Sequence, residues 1–518
     1  MVQIRDPQTP PPPPDRAHRL RPPTGVLLAA LAVIVLRLPF VNTWLGKDEA
    51  GFLEVGRQWH RGGSSLYGNY WVDRPPLLIT IFRVAAVLGG TVPLRLIGIG
   101  AAVIAVLAIA HAANTLAGPR AATWTAVTAA ALLVSPLAGA AEVNGELLAT
   151  PFIAIGIAAS LVMLTTSSTR RALAAAALTG AVGVLAVLVK QNMIDVFIFA
   201  GILALLRARS LGASRLGTIV GGFLGGAAVA GGVMVIWTIA HGTSLGGIWF
   251  AMYRFRIEAD ALLARTHGSA PAARGLSLLL NSVGCGMILL MVLLLVHAVR
   301  APRDNQTPQD DHTGSPASSM TRSVPLALIV TLIYDVASIV LGGSYWGHYL
   351  VQLTLPLALA AGLAATLLPR TSRLLIAALV VSAAWSVLSL GLHPTGPGGN
   401  QVGKEIAAVS RPGDTIVTVW GHPDVTHASG LTSPYPHLWS LPEFTLDSHT
   451  HLLHTTLTGP DAPTWFVTWT GPNAPGIKTS ALKSALRNDY HRVAKLHGHA
   501  VYLHNGVQRA VPTVLRNP

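Results

Sequence analysis

Asp48 and Glu49 stand side by side just after the first hydrophobic run, and Asp73 and Arg74 precede a double proline, Pro75 and Pro76, that opens the next. A carboxylate at a lipid–water boundary can draw the proton from a hydroxyl as it attacks an electrophile, which makes Asp48 the candidate base and Glu49 its assistant. The prolines fix the backbone and start a helix, so the Arg74 guanidinium is held at headgroup depth, where its planar fork matches phosphate oxygens. Glu142, Asn144 and Glu146 form a second polar group, with Glu146 a candidate for acid chemistry and Glu142 and Asn144 for substrate contact. Lys190, Arg254 and Arg256 are candidates, with Arg74, for neutralising a phosphate, and Tyr345, His348 and Tyr349 for lining the substrate. Each also has a plain structural use. Asp48 suits a helix N-cap ahead of Phe52, Val55 and Trp59, Arg74 suits snorkelling to phospholipid, and Tyr345 and His348 suit interfacial anchoring.

The elements that must position these residues lie in a membrane. The chain is 51% hydrophobic and only 11% charged, with mean hydropathy +0.52, against a charged share of about 25% in soluble domains. Apolar runs near the roughly 20 residues that cross a bilayer recur from Val26 to Leu392, which predicts an α-helical polytopic membrane protein. The run Leu77–Leu88 is too short to span and is laid along the surface. With the first helix, spans at 93–113, 122–141, 147–166, 173–190, 193–206, 216–240, 275–298, 324–342, 349–368 and 374–391 make eleven. Arg120, Arg170, Arg171, Arg207, Arg209, Arg215, Arg300, Arg303, Arg322, Arg370 and Arg373 then all face the cytoplasm, as the positive-inside rule requires. The formal charge of +14 thus sets topology in the cytoplasmic membrane, and nucleic acid is not its partner. The loops 42–92, 142–146, 190–192, 241–274 and 343–348 converge on the extracytoplasmic face, where Arg254 and Arg256 have no topological use and would meet anionic substrate or membrane lipids.

Three regions follow. Residues 1–23, rich in proline and arginine, read as a disordered cytoplasmic tail; 24–392 form the membrane domain, with its first extracytoplasmic loop at 42–92; and 393–518 form a small extracytoplasmic α/β domain. Short β-like runs appear there at Thr415–Trp420, Thr464–Trp469 and Ala500–His504. Cys285 is the only cysteine, so no intramolecular disulfide or cysteine metal cluster forms. The histidines His422, His427, His437, His449, His451 and His454 crowd the tail, and Asp447 with His449 and His451 offers a zinc or other divalent metal site, although their spacing matches no tight metal signature. Asp195 and Asp335 fall within apolar spans and each requires a partner. The Ala, Gly, Arg and Pro bias with few lysines fits a GC-rich bacterial genome.

The order of Asp48-Glu49, Asp73-Arg74-Pro75-Pro76-Leu77, Asn144-Gly145-Glu146-Leu147-Leu148 and His348-Tyr349-Leu350 resembles the GT-C superfamily of polytopic glycosyltransferases, in particular the family 39 type that includes protein O-mannosyltransferases and lipid A aminoarabinose transferases. Val419-Trp420-Gly421-His422-Pro423 resembles the external domain of bacterial members. The resemblance implies a GT-C-like helical domain and transfer of one hexosyl or pentosyl unit from a polyprenyl-phosphate donor, with inversion, to an extracytoplasmic lipid, cell-wall glycan or protein. It assigns catalysis to Asp48 and contact with the donor phosphate to Arg74; many relatives have Lys at Arg74 and Asp at Glu146, which keeps the charges. The rival class is a transporter or flippase of lipid-linked sugars, which should carry its key charges near the bilayer midplane, where only Asp195 and Asp335 are found.

Overall fold

The computed structural model describes residues 22–140, 142–265, 270–300, 320, 323–367, 369–392, 398–473 and 477–514. The expected N-terminal tail, apart from its last two residues, and the loop arginines Arg303 and Arg322 lie outside the described residues.

The chain opens with α1 (Thr24–Arg37), α2 (Lys47–Arg57) and α3 (Pro76–Val87). Next comes α4 (Thr91–Val134), two helical arms merged across non-helical backbone at Ala117 and Gly118, just before Pro119. Four helices follow, α5 (Gly145–Thr165), α6 (Thr169–Val189), α7 (Asp195–Leu211) and α8 (Ala213–Ala240). A short α9 (Leu245–Trp249) passes through a π turn into α10 (Phe255–Arg265). The membrane region closes with α11 (Ala270–Gly284), α12 (Met287–Arg300), α13 (Ser323–Leu341), α14 (Thr354–Leu367) and α15 (Pro369–Leu392).

Among the described residues seven helices are long and apolar enough to cross a bilayer, eight with α11 and α12 taken as one span bent by 61°. The chain is a multi-pass membrane protein. The eleven expected spans are reached only by counting the two arms of α4 apart and adding the shorter α1 and α7. Small residues set the packing, because lipid gives helices no hydrophobic reason to associate and close contact must do so instead. At the crossing of α6 and α8, a Cβ on Gly226 would lie 1.9 Å from the Ala177 carbonyl oxygen, and one on Gly180 2.0 Å from that of Phe223. α5 and α14 sit innermost, with Leu147, Ala149, Ala154 and Leu161 of α5 fully buried, whereas Val229, Val233 and Ile236 of α8 are exposed to lipid.

The two ends of the bundle differ in charge. At one end the α5–α6 and α7–α8 turns meet, with Arg215 donating to the Thr166 carbonyl, in sequence reach of Arg170, Arg171, Arg207 and Arg209. At the other end the first loop, the turns before α5, α7 and α14, and the C-terminal domain come together. A cysteine at Ser64 or Thr455, in a background lacking the buried Cys285, should therefore react with an impermeant thiol reagent applied to intact cells, while one at Ser167 should not. Labelling of Ser167 with protection of the other two would invert the protein.

After α16 (Gly399–Ala407) the C-terminal domain builds β1 (Ile416–Val419), α17 (Pro423–Ser429), α18 (Ser440–Leu446), α19 (His451–Thr458), β2 (Trp465–Thr468), α20 (Ser480–Asn488), β3 (Tyr490–Leu496) and β4 (His499–His504). The sheet order is β1-β2-β4-β3, with β1 and β2 parallel and the other pairs antiparallel. Three of these strands match the expected runs. β3 does not, because only its ends, Tyr490 and Leu496, are buried and its interior is polar or half exposed. Val417, Val419 and Phe466 face Leu453, Leu457 and Leu482 of α19 and α20, while Ile416, Trp465 and Val467 face Val402, Ile406 and Val425 of α16 and α17. The second layer docks on the membrane domain: Asn400 donates to the Leu45 carbonyl at 3.0 Å, Ser433 N to the Tyr70 hydroxyl at 2.9 Å and Trp71 N to the Pro436 carbonyl at 3.0 Å.

Candidate functional site

The N-cap of α2 is Gly46, two residues before Asp48, so the expected capping role passes to its neighbour. Glu49 Oε2 accepts from Gly46 N at 2.9 Å, closing the first turn in the manner of a capping box. The same carboxylate pairs with Arg95 Nη2 at 2.9 Å and takes Val143 N on its other oxygen at 2.8 Å, and both side chains are almost wholly buried. Arg37 lies close by, donating to the carbonyls of Leu133 at 2.6 Å and Ala140. Glu49 therefore ties α2 to α4 and to the loop before α5, and its oxygens are occupied by the fold. Asp48, about 100° round the helix, is half-buried and free of cap duty; Trp439 of the C-terminal domain donates its indole N–H to Oδ1 at 2.9 Å.

Arg74 faces this acid, with Arg256 and Lys190 beyond it. Arg74 Nη1 bonds Asp73 Oδ1 at 2.7 Å, and Arg256 Nη2 pairs with Asp73 Oδ2 at 2.6 Å, so one buried carboxylate bridges two guanidiniums. Burial would push Asp73 upward, but Arg256 and Arg74 hold it below the ordinary carboxylate range. Arg256 reaches this point because Phe255, beside it on α10, packs edge-on against Trp71 with ring centroids 4.5 Å apart. Asp73, Asp48, Tyr349 and Glu146 together keep Arg74 charged against the cost of burial. Lys190, which ends α6, bonds Glu146 and lies over the Tyr349 ring at 4.6 Å. Its burial and the neighbouring Arg74 and Arg256 lower its affinity for a proton, opposed by Glu146. His348 Nε2 stands 3.7 Å from the same Glu146 oxygen. Asp48, Arg74, Glu146, Lys190, Arg256, His348 and Tyr349 thus converge from six places in the chain: α2, the turn before α3, α5, the end of α6, α10 and the turn before α14.

The other expected residues take different places, Glu142 near Asp48 and the rest apart from it. Asn144 is the N-cap of α5, its Oδ1 accepting from Leu147 N at 2.9 Å, and it is buried. The helix starts after it, so Glu142 and Glu146 do not share a helical face. Glu142 is exposed as a residue, yet its carboxyl lies against Gly46; burial there, with the charges of Glu49 and Asp48, pushes it up to about 7. Arg254 pairs with Glu258 at 3.2 Å on the exposed face of the π turn and α10, and no described contact joins it to Asp73. Tyr345 takes a left-handed φ of 53° in the turn before α14, with its hydroxyl on the Val340 carbonyl at 3.2 Å.

Of the two acids expected to need partners, Asp335 accepts from Gln352 at 2.7 Å, and Asp195, the first residue of α7, lies near it. Among the described residues no three His, Cys, Asp or Glu side chains gather as a metal site. Asp447 accepts from Leu452 N, Leu453 N and Tyr435, while His449 stacks on His451 and meets the Ser448 hydroxyl at 3.2 Å. Two contributors were not singled out from sequence. Asp73 had a signal, since a carboxylate adjoining the key arginine is placed to set its geometry; Trp439, 391 positions from Asp48, had none.

No protein-family model matches the chain, and no curated protein matches its sequence. Solved structures do match. The Archaeoglobus fulgidus oligosaccharyltransferase in complex with Zn and sulfate aligns with TM-score 0.52 at 13% identity over 86% of this chain and 67% of that one. The same enzyme tethered with an acceptor peptide containing the NVT sequon gives 0.53 at 13% identity over 87% and 69%. ArnT from Cupriavidus metallidurans in the apo state gives 0.44 at 14% identity over 92% and 97%. With its long helices, its polar loops and its C-terminal domain gathered at one end, the chain shares the overall fold of the Archaeoglobus fulgidus oligosaccharyltransferase.

Proposed function

We propose that the protein transfers one sugar from a polyprenyl-phosphate donor to an acceptor hydroxyl on the extracytoplasmic side of the cytoplasmic membrane. The observation that carries this reading is the Asp48 carboxylate beside Arg74, which shares Asp73 with Arg256 and lies near Lys190, at the polar end of the bundle. The acceptor oxygen attacks the anomeric carbon as Asp48 takes its proton. The bond from that carbon to the phosphate oxygen breaks on the far side, so the configuration inverts. Its electron pair stays on the polyprenyl phosphate, whose added charge Arg74, Arg256 and Lys190 stabilise. Glu146 with His348 holds Lys190 in place, and Tyr349 lines the sugar. A family 39 enzyme acting on a lipid, glycan or protein acceptor fits the loop motifs. Transport is the weaker reading, because the charged groups gather at one end of the bundle, where Asp195, the first residue of α7, also lies.

The test is release of polyprenyl phosphate from defined lipid-linked sugars in liposomes, with mass spectrometry of lipid-linked sugars accumulating in a deletion strain to identify the donor. Arg74→Ala should raise the donor KM more than it lowers kcat, and Arg74→Lys should keep part of the activity, because a ground-state phosphate contact is lost from both states alike. A large fall in kcat at unchanged donor KM would place Arg74 on the leaving phosphate alone. No release from any hexosyl or pentosyl donor by the intact protein would end the proposal.

A further inference from the structure

We propose that Trp439 of the C-terminal domain is a positioning residue for Asp48, its indole N–H fixing one carboxylate oxygen so that the other faces the acceptor hydroxyl; this rests on Asp48 being the base.

The contact is built from both sides. Trp439 lies just before α18, and its ring packs on Phe52 with centroids 5.3 Å apart and planes tilted 35°. Gly51 of α2 makes the room, since a Cβ there would sit 2.3 Å from the indole Cζ2. The domain grips the same helix at two further points: Lys47 Nζ bonds His422 Nε2 at 3.0 Å, and Glu54 Oε1 bonds His427 Nδ1 at 2.6 Å. His422 is itself stacked on Trp469 at 3.5 Å, with His499 on the other face at 3.4 Å, so the clamp has rigid backing. A domain that only decorated the membrane unit would have no reason to aim a buried-edge donor at the acid.

The indole suits this role chemically. It donates one hydrogen bond, accepts none and does not titrate, so it orients the carboxylate without competing for the proton. The charged groups facing Asp48 are Lys47 and Glu49 on its own helix, Arg74 before α3, Glu142 before α5 and His348 before α14. None of these is changed when Trp439 is replaced. A donor to the ionised form favours that form, so its removal should make Asp48 easier to protonate.

In the full-length enzyme, Trp439→Phe keeps the ring on Phe52 and removes the N–H. It should lower kcat by about tenfold or more, as loss of a hydrogen bond to a charged group implies, with donor KM nearly unchanged and the acid limb of the kcat–pH profile moved to higher pH. Gly51→Ala, which displaces the indole from the opposite side, should move the same limb in the same direction and serves if Trp439→Phe fails to fold. An unaltered kcat and acid limb in whichever variant folds, with Asp48→Asn inactive, overturns the role of Trp439 and leaves the base in place. An active Asp48→Asn overturns the base itself.

Discussion

Asp48→Asn should reduce sugar transfer by about 10²–10⁴-fold, the usual contribution of a positioned base, while the protein keeps its thermal stability. The expectation follows from the division of labour in the first turn of α2. Gly46 is the N-cap and Glu49 closes the turn, so removing the Asp48 charge takes no hydrogen bond from the helix. Asparagine has the same size, and its amide oxygen can still accept from Trp439, so the docking of the C-terminal domain should persist. The lost property is the capacity to take a proton. Turnover in liposomes, with donor binding measured separately, is the decisive pair of readings. Near wild-type turnover would remove Asp48 from the chemistry, and loss of donor binding with intact single-turnover chemistry would recast it as a partner of Arg74.

The membrane architecture was legible because lipid leaves the backbone few choices: a run of some 20 apolar residues has to be a helix, and its ends announce themselves by charge. Arg74, Glu146, Lys190 and His348 could be picked out for the same reason, as polar groups at ends of apolar elements. What the residues do to one another was less accessible. Asp48 is a better intrinsic cap than glycine, and only the pull of Arg95 and Val143 N on Glu49 shows why the helix starts earlier. Arg95 sits inside an apolar-looking run in α4, and nothing local marks it as the partner of a residue 46 positions away. The closeness of Asp195 to Asp335 likewise depends on which helices are neighbours. Arg254 and Arg256 are alike in sequence, and their separation into a surface ion pair and a site cation follows from the packing of Phe255 on Trp71.

Glu49→Gln should produce the opposite phenotype to its neighbour: a folding defect with the chemistry intact in whatever protein folds. The Glu49 and Arg95 side chains are 1% and 5% exposed, so removing the negative partner takes the countercharge from a guanidinium in a buried site. Arg37 adds a second buried positive charge nearby. Glutamine can also supply only one acceptor oxygen for the three donors that Glu49 now satisfies, and its amide N–H₂ would face Arg95, Val143 N or Gly46 N, donor against donor. Breaking a buried pair from one side typically costs about 3–5 kcal/mol, much of the margin by which a folded domain survives. Thermal unfolding in detergent should show a markedly lower Tm, and active-site titration should show near-normal kcat per folded molecule. Replacing Glu49 and Arg95 together with glutamine should cost less than the two single losses combined, because neither charge is then left alone. Normal Tm with turnover lost would instead return Glu49 to the catalytic step, as a second carboxylate serving Asp48 from behind.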